Sequence, residues 1–195
     1  MIYRVLLLAD HAWRDTPGLA VVRVELERVQ DGIGPPEVWI VDIHLFGQVV
    51  ELLRPHLVVM NHLHDPDRNK IVDTVRRRGG LCAVLPTEGR PNTELALAHA
   101  ATHQDLRLCD LYLSWSDTFA ALLPAPAQGD GQATAKAVVT GSPRFDFYFP
   151  LLSALRKSRQ EMVGQLGLDL DKKIITVASS FPGAKFYGGN IAFFA

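Results

Sequence analysis

Ile2-Tyr3-Arg4-Val5-Leu6-Leu7-Leu8-Ala9 is an almost unbroken apolar run near the start of the chain. A strand with one wet face alternates apolar and polar side chains, and this run does not. It reads as a strand buried on both faces, which is the position of a central strand in a parallel sheet covered by helices.

The segments that follow repeat the same rhythm. Asp10 to Gly18 (DHAWRDTPG) reads as a polar, aromatic loop. Leu19, Val22, Leu26 and Val29 then recur at helical spacing with Arg23, Glu25, Glu27 and Arg28 between them, and Gly32 is the expected stop. Strands are predicted at Val38 to Val41, His56 to Asn61, Leu81 to Leu85, Asp110 to Trp115 and Ala137 to Thr140. Helices are predicted at His44 to Leu53, Asp67 to Arg78, Thr93 to His103 and, capped by Ser116, through Leu123. Pro124 to Ala135, rich in Ala, Gly, Gln and Pro, reads as a surface loop. The alternation predicts an α/β fold, a doubly wound parallel Rossmann-like sheet of about six strands.

Past the sixth strand the pattern changes. Phe147 to Leu166 contains a helical stretch, Gly167 to Lys173 reads as a linker, and Ile174 to Ala178 as a new strand leading to Ser179-Ser180-Phe181-Pro182-Gly183. The expected organisation is a lobe over residues 1–166, with 167–195 as a linker and the first strand of a truncated second lobe. A lone strand with open edges needs a sheet to join, so the chain is read as a fragment of a two-lobed protein.

Composition narrows the class. The 195 residues are 48% hydrophobic and 21% charged, as in ordinary globular domains, and the net charge of −1 gives nucleic acid no electrostatic footing. No apolar run has the length of a membrane span, and Asp10, His11 and Arg14 interrupt the first run too early for a signal peptide. A cytoplasmic location is the expectation. Cys82 and Cys109 fall on buried-looking elements and read as core thiols rather than a disulfide or metal pair.

Right-handed crossovers bring the carboxyl ends of parallel strands to one edge, where open α/β sheets bind ligands. Leu85-Pro86-Thr87-Glu88-Gly89 puts a carboxylate there, on a turn flanked by Thr87 and Gly89; the plain alternative is a solvated or capping acid. In the first loop Trp13 offers a stacking face, while Asp10, His11, Arg14 and Asp15 offer charge and hydrogen bonds. This mixture suits carbohydrate or nucleotide recognition. Equally, the tryptophan could pack down on a helix and the acids cap it. His62 is a cleft-lining candidate beside His64, Asp65 and Asp67, which turn chemistry explains more simply than a metal site. In Gly141-Ser142-Pro143-Arg144-Phe145-Asp146, Gly141 allows a tight turn, Arg144 can grip an anion, and Asp146 can cap the next helix. There is neither a Walker-type motif nor a Gly-x-Gly-x-x-Gly fingerprint after the first strand, which disfavours P-loop and dinucleotide chemistry. His99 and His103 are four apart without a glutamate between them that would support zinc.

Together, DHAWRDTPG, LPTEG, DLYLSW, GSPRFD and LGLDLDKKIITVAS resemble, over essentially the whole chain, the N-terminal half of bacterial surface carbohydrate biosynthesis proteins, glycosyltransferases of the GT-B type. The Gly-x-Pro-Arg-x-Asp element is also similar to a turn of CDP-glycerol glycerophosphotransferases. The resemblance implies two Rossmann-like lobes around a cleft. The first lobe mainly binds a carbohydrate acceptor, the second a nucleotide-activated sugar donor, with no metal or other cofactor in catalysis. It implies Glu88 as acid/base or acceptor-orienting carboxylate. His11, Trp13, Arg14 and Asp15 would line the acceptor side, Arg144 would face the cleft, and Ser179 and Ser180 would approach donor phosphate. It leaves peripheral membrane association of the full-length enzyme open. Without most of the donor lobe, the chain alone is expected to be inactive. The alternatives are a sugar-nucleotide 2-epimerase of GT-B-like fold and a non-catalytic doubly wound binding module.

Overall fold

The first apolar run is the middle of the sheet. The computed structural model of the chain describes residues 2–29, 34–63, 66–86, 105–124 and 135–175. Strand β1 (Arg4–Ala9) pairs in parallel with β2 (Glu37–Asp42) on one side and with β3 (Leu57–Met60) on the other. Strands β4 (Leu81–Val84), β5 (Leu111–Ser114) and β6 (Lys136–Val139) continue outward from β3, giving one six-stranded, all-parallel sheet in the order β2-β1-β3-β4-β5-β6. The expected Rossmann-like doubly wound fold is the observed one.

Alternate residues along each strand face opposite layers. Leu6, Leu8, Val58, Met60, Cys82, Val84 and Tyr112 share one core with Phe46 and Val50 of α2 (Phe46–Leu53) and Ile71, Val72 and Val75 of α3 (Pro66–Arg76). Val5, Leu7, Ala9, Val59, Ala83 and Leu85 share the other with Leu19 of α1 (Ala12–Arg28), against which Val22 and Leu26 also pack. A run that is apolar at every position is what a strand with two such cores requires, since each fully buried Leu or Val contributes about 1.5–3 kcal/mol.

The order of strands creates a crevice. The chain passes from β1 to β2 on one side and then returns to β3 on the other. The connections leaving β1 and β3 therefore diverge onto opposite faces, and the space outside the two carboxyl ends is the topological switch point where such sheets take ligands.

Two sequence expectations are corrected. Asp10 to Gly18 is not a loop, because α1 begins at Ala12 rather than Leu19. His11 is its N-cap, with Nδ1 accepting from the Arg14 N–H at 3.3 Å. Pro17 sits inside the helix, where its ring leaves the Trp13 carbonyl without an i+4 donor. Gly18 is buried because Pro143 and Arg144 pass over it, a Cβ there meeting Arg144 Cγ at 3.4 Å. Pro and Gly look like loop chemistry in the sequence, but here tertiary contact overrides it. Second, of the helical stretch expected within Phe147 to Leu166, only Arg159–Gln165 is α-helix. Pro143–Tyr148 and Pro150–Leu155 form 3-10 turns, so Asp146 lies inside a turn rather than capping a helix. The prolines at 143 and 150 each open a turn because their missing N–H is not needed there.

Ser116 does cap the next helix, α4 (Asp117–Leu122), accepting from the Phe119 N–H at 3.2 Å. The predicted helix at Thr93 to His103, and with it His99 and His103, lies outside the described residues, as do most of the expected loop at Pro124 to Ala135 and Gly32.

The chain divides into two compact units, Met1–Ser153 and Ala154–Ala195. Within the second, α5 (Arg159–Gln165) starts at a reciprocal capping box. Ser158 accepts from Glu161 N–H, and the Glu161 carboxylate accepts from Ser158 N–H. Gly167, at φ +63°, ends it: its N–H reaches the Gly164 carbonyl and the Leu168 N–H reaches that of Val163. That 5→2 and 6→1 pair needs a left-handed residue, which glycine adopts without strain. Ile174 and Ile175 belong to no regular element, and the remainder of the expected second-lobe strand lies outside the described residues.

Candidate functional site at the carboxyl edge of the sheet

The turn from β1 into α1 is built around a buried carboxylate. Asp15 has no exposed surface, and its Oδ2 accepts from the backbone N–H of Asp10 at 3.0 Å and of His11 at 2.9 Å. The Arg14 Nε donates to Asp15 Oδ1 at 2.8 Å. Two main-chain donors and a guanidinium replace the water this anion has lost, which is what lets a charge stay buried. Asp15 therefore holds the turn in shape, and in doing so aims Asp10 into the switch crevice.

Asp10 is the centre of the site. Its Oδ1 lies 3.1 Å from Arg68 Nη2, and its Oδ2 accepts from Asn61 Nδ2 at 3.2 Å and from Arg14 Nη2 at 3.5 Å. His62 Nε2 lies 3.8 Å from the same Oδ2 and 3.5 Å from Arg68 Nη2. Asn61 and His62 directly follow β3, and Arg68 is in the first turn of α3, so the network spans the switch from both sides. Burial pushes the Asp10 carboxyl up, but the Asn61 hydrogen bond and the Arg68 charge, helped by His62, outweigh it and hold the group below its ordinary range. The result is a fixed carboxylate, 28% exposed, with two guanidiniums and an amide around it.

Trp13, next to Arg14 in the first turn of α1, is 88% exposed. Of the two readings of this loop, the tryptophan follows the outward one and Asp15 the capping one. His11 is exposed and serves as the helix cap. Gly141 has φ +77°, a conformation that needs glycine, and the turn it begins carries Pro143 and Arg144 back against Gly18, one helical turn past Arg14. Since β6 is the far edge of the sheet, this return brings two distant parts of the predicted site onto one helix.

Trp115, just after β5, links the rest of the edge. Its Nε1–H donates to the Pro86 carbonyl at 2.6 Å, and its ring meets Phe145 edge-on at 5.6 Å. Thr87, Glu88 and Gly89 begin immediately beyond Pro86 and lie outside the described residues, as do Ser179 and Ser180.

The structure thus gathers Asp10, Arg14, Asp15 and His62 and adds three residues not among the site residues expected from sequence: Asn61 and Trp115, which the strand order places on the ligand-binding edge, and Arg68. Asn61 had a signal: it is the first polar residue after a fully apolar strand on the ligand-binding edge. Arg68 had none, since an arginine early in a helix is ordinarily a solvated charge. Among the described residues, no three His, Cys, Asp or Glu side chains converge as a metal ion would need. No helix among them is long and apolar enough to cross a membrane. An open groove between α2 and α3, lined by Phe46, Val50, Glu51, Ile71, Arg77 and Arg78, shares no residue with the Asp10 network. Cys82 and Cys109 are buried free thiols, as expected. Comparison with protein-family models, with curated proteins and with solved structures found no match.

Proposed function

We propose that this chain is the acceptor-binding lobe of a glycosyltransferase of surface polysaccharide biosynthesis, capsule or lipopolysaccharide, working with a nucleotide-activated sugar. The observation that carries the reading is the pairing, at the switch crevice, of a hydrogen-bonding network centred on Asp10 with an indole, Trp13, turned outward from the adjoining helical turn. Sugars present apolar ring faces edged with hydroxyls, and a site for them combines an aromatic surface with a few fixed polar groups. On this reading the partners are a nucleotide sugar and a carbohydrate acceptor, and the compartment is the cytoplasm.

The chemistry divides between two carboxylates. A general base works best with a pKa near the operating pH. Asp10, held below the usual carboxylate range, stays ionised but is a weak base, so its work is to bind and orient. The base role falls to Glu88, which follows the strand adjacent to β3. In a form of the protein that carries the donor lobe this reading requires, Glu88→Gln should lower transfer by roughly 10²–10⁴ with acceptor binding retained. Activity near that of the parent would remove Glu88 from the base role.

A second reading, a binding module without catalysis, is favoured by one feature: the two carboxylates and two guanidiniums of the Asp10 network neutralise one another, so neither carboxylate in it is an activated base. Titration with acceptor glycans and nucleotide sugars separates the two, since binding with no turnover selects the module.

A further inference from the structure

Two members of the Asp10 network, Asn61 and Arg68, each carry a buried polar atom with no hydrogen-bond partner. Asn61 and Arg68 are 4% and 5% exposed. The amide of Asn61 points its Nδ2 at Asp10 Oδ2, and an ionised carboxylate can only accept, so the orientation of the amide is set by chemistry. That leaves Asn61 Oδ1 as the second acceptor, and it has no hydrogen-bond partner; neither has Arg68 Nε–H. Buried polar atoms are nearly always paired, so an unmet acceptor on Asn61 and an unmet donor on Arg68 call for a partner.

The chemistry of the pair says which group. A hydroxyl both donates and accepts, so in hydrogen-bonding character it matches both Asn61 Oδ1 and Arg68 Nε–H. A phosphate dianion or a carboxylate only accepts, and would leave Asn61 Oδ1 unmet. Charge points the same way. Arg68 is matched to Asp10 at 3.1 Å and Arg14 to Asp15 at 2.8 Å, so two positive and two negative groups cancel. An arriving anion would meet the Asp10 carboxylate, the most exposed member of the network, with no guanidinium uncommitted to oppose it. Entry is from the side where Asp10, Arg14 and His62 reach solvent, their side chains being 28%, 25% and 16% exposed.

We propose that the crevice between β1 and β3 selects an uncharged hydroxyl-bearing group, held jointly by Asp10, Asn61 and Arg68, and rejects phosphate and carboxylate groups at this position. The ligand class rests on the carbohydrate reading above. What is added is that the acceptor presents neutral hydroxyls here, so anionic groups of either substrate are bound elsewhere.

The test uses the isotopically labelled 195-residue chain and follows the Arg68 Nε–H and Asn61 side-chain amide resonances. The probes are the methyl glycosides of glucose, galactose, mannose and N-acetylglucosamine, their 6-phosphates, and inorganic phosphate. At least one neutral glycoside should shift both resonances saturably, its 6-phosphate should bind at least about tenfold more weakly, and inorganic phosphate should shift neither. Arg68→Lys keeps the charge beside Asp10 but removes the Nε–H, and should weaken the glycoside response about tenfold with the thermal midpoint little changed. Asn61→Ser is the companion variant if the first fails to fold, with the same expected loss.

Stronger binding of a phosphorylated probe, a shift with inorganic phosphate, or unaltered glycoside binding by the folded variants each overturns the proposal. So does silence from every glycoside near its solubility limit, which would mean that a water completes the pair. Because the readout is binding, failure of the Glu88 experiment leaves this result standing. Conversely, transfer to a phosphorylated acceptor held at Asp10 would sink this inference while keeping the enzyme.

Discussion

Arg68 Nη2 lies 3.1 Å from Asp10 Oδ1, and the pair ties the first turn of α3 to the end of β1 across the switch crevice. The Arg68 side chain is only 7% exposed, so removal of Asp10 strands its guanidinium away from water, whereas Asp10 without Arg68 still reaches solvent at 28% exposure. Arg68→Met should destabilise the fold by about 2–4 kcal/mol, the range for a broken buried pair trimmed because Asp10 reaches solvent. In urea denaturation the Asp10→Asn, Arg68→Met double variant should lose less than the sum of the singles, by about 1 kcal/mol or more. Additive losses would mean that the two groups do not couple.

The pH dependence follows from the same pair. The folded-state pKa of Asp10 is lowered, so its stabilisation is fully present above the unfolded value of about 3.9 and is lost as pH falls through the folded value. Asn at this position cannot titrate. The stability deficit of Asp10→Asn should therefore be largest near neutrality and shrink below about pH 4. A deficit of equal size at neutral and acid pH would contradict the assignment.

Sheet and site were legible to different degrees, for physical reasons. A strand buried on both faces must be apolar throughout, so β1 could be read from Val5 to Ala9 with no knowledge of its neighbours. The start of α1 could not, because Pro17 and Gly18 carry the local preferences of a turn, while a helix there depends on the Asp15 carboxylate folding back onto Asp10 and His11 and on the distant Arg144 crossing Gly18. Asp10 was visible as a polar residue at a strand end. Its partner Arg68 lies 58 positions away, and a guanidinium that crosses from one helix to another strand leaves no periodicity behind.

Two glycines give predictions of opposite sign. At Gly18 an added Cβ would meet the flexible Arg144 Cγ at 3.4 Å, an ordinary contact. Gly18→Ala should stabilise α1 by about 0.5 kcal/mol through lost backbone freedom in the unfolded chain. At Gly80 it would fall 2.8 Å from Val75 Cγ1 and 3.1 Å from the Pro55 carbonyl oxygen. Val75 is stiff and fully packed, so Gly80→Ala should cost about 1–3 kcal/mol. Thermal midpoints decide both, and matching signs would refute the packing described around α1 or α3.

The two cysteines should be silent in the native state. Burial, with Asp110 nearby, pushes both the Cys82 and the Cys109 thiol up to about 12. Only about one thiol in 10⁴ is then ionised at pH 8, and the thiolate is the reactive form. A disulfide-exchange reagent should count no thiols in the folded chain and both after denaturation. Rapid labelling of either in buffer would show that its core is open.

The indole of Trp115 touches the exits of three strands at once, through the Pro86 carbonyl after β4, its own place after β5, and Phe145 in the turn after β6. Of the other two tryptophans, Trp13 stands in solvent and Trp39 is half-buried on the edge strand. The chain therefore carries three emitters in three surroundings, and in a Trp13→Phe, Trp39→Phe background Trp115 becomes an optical gauge of its own carboxyl edge. Any ligand that moves Pro86 or Phe145 registers as a change in the colour of one residue.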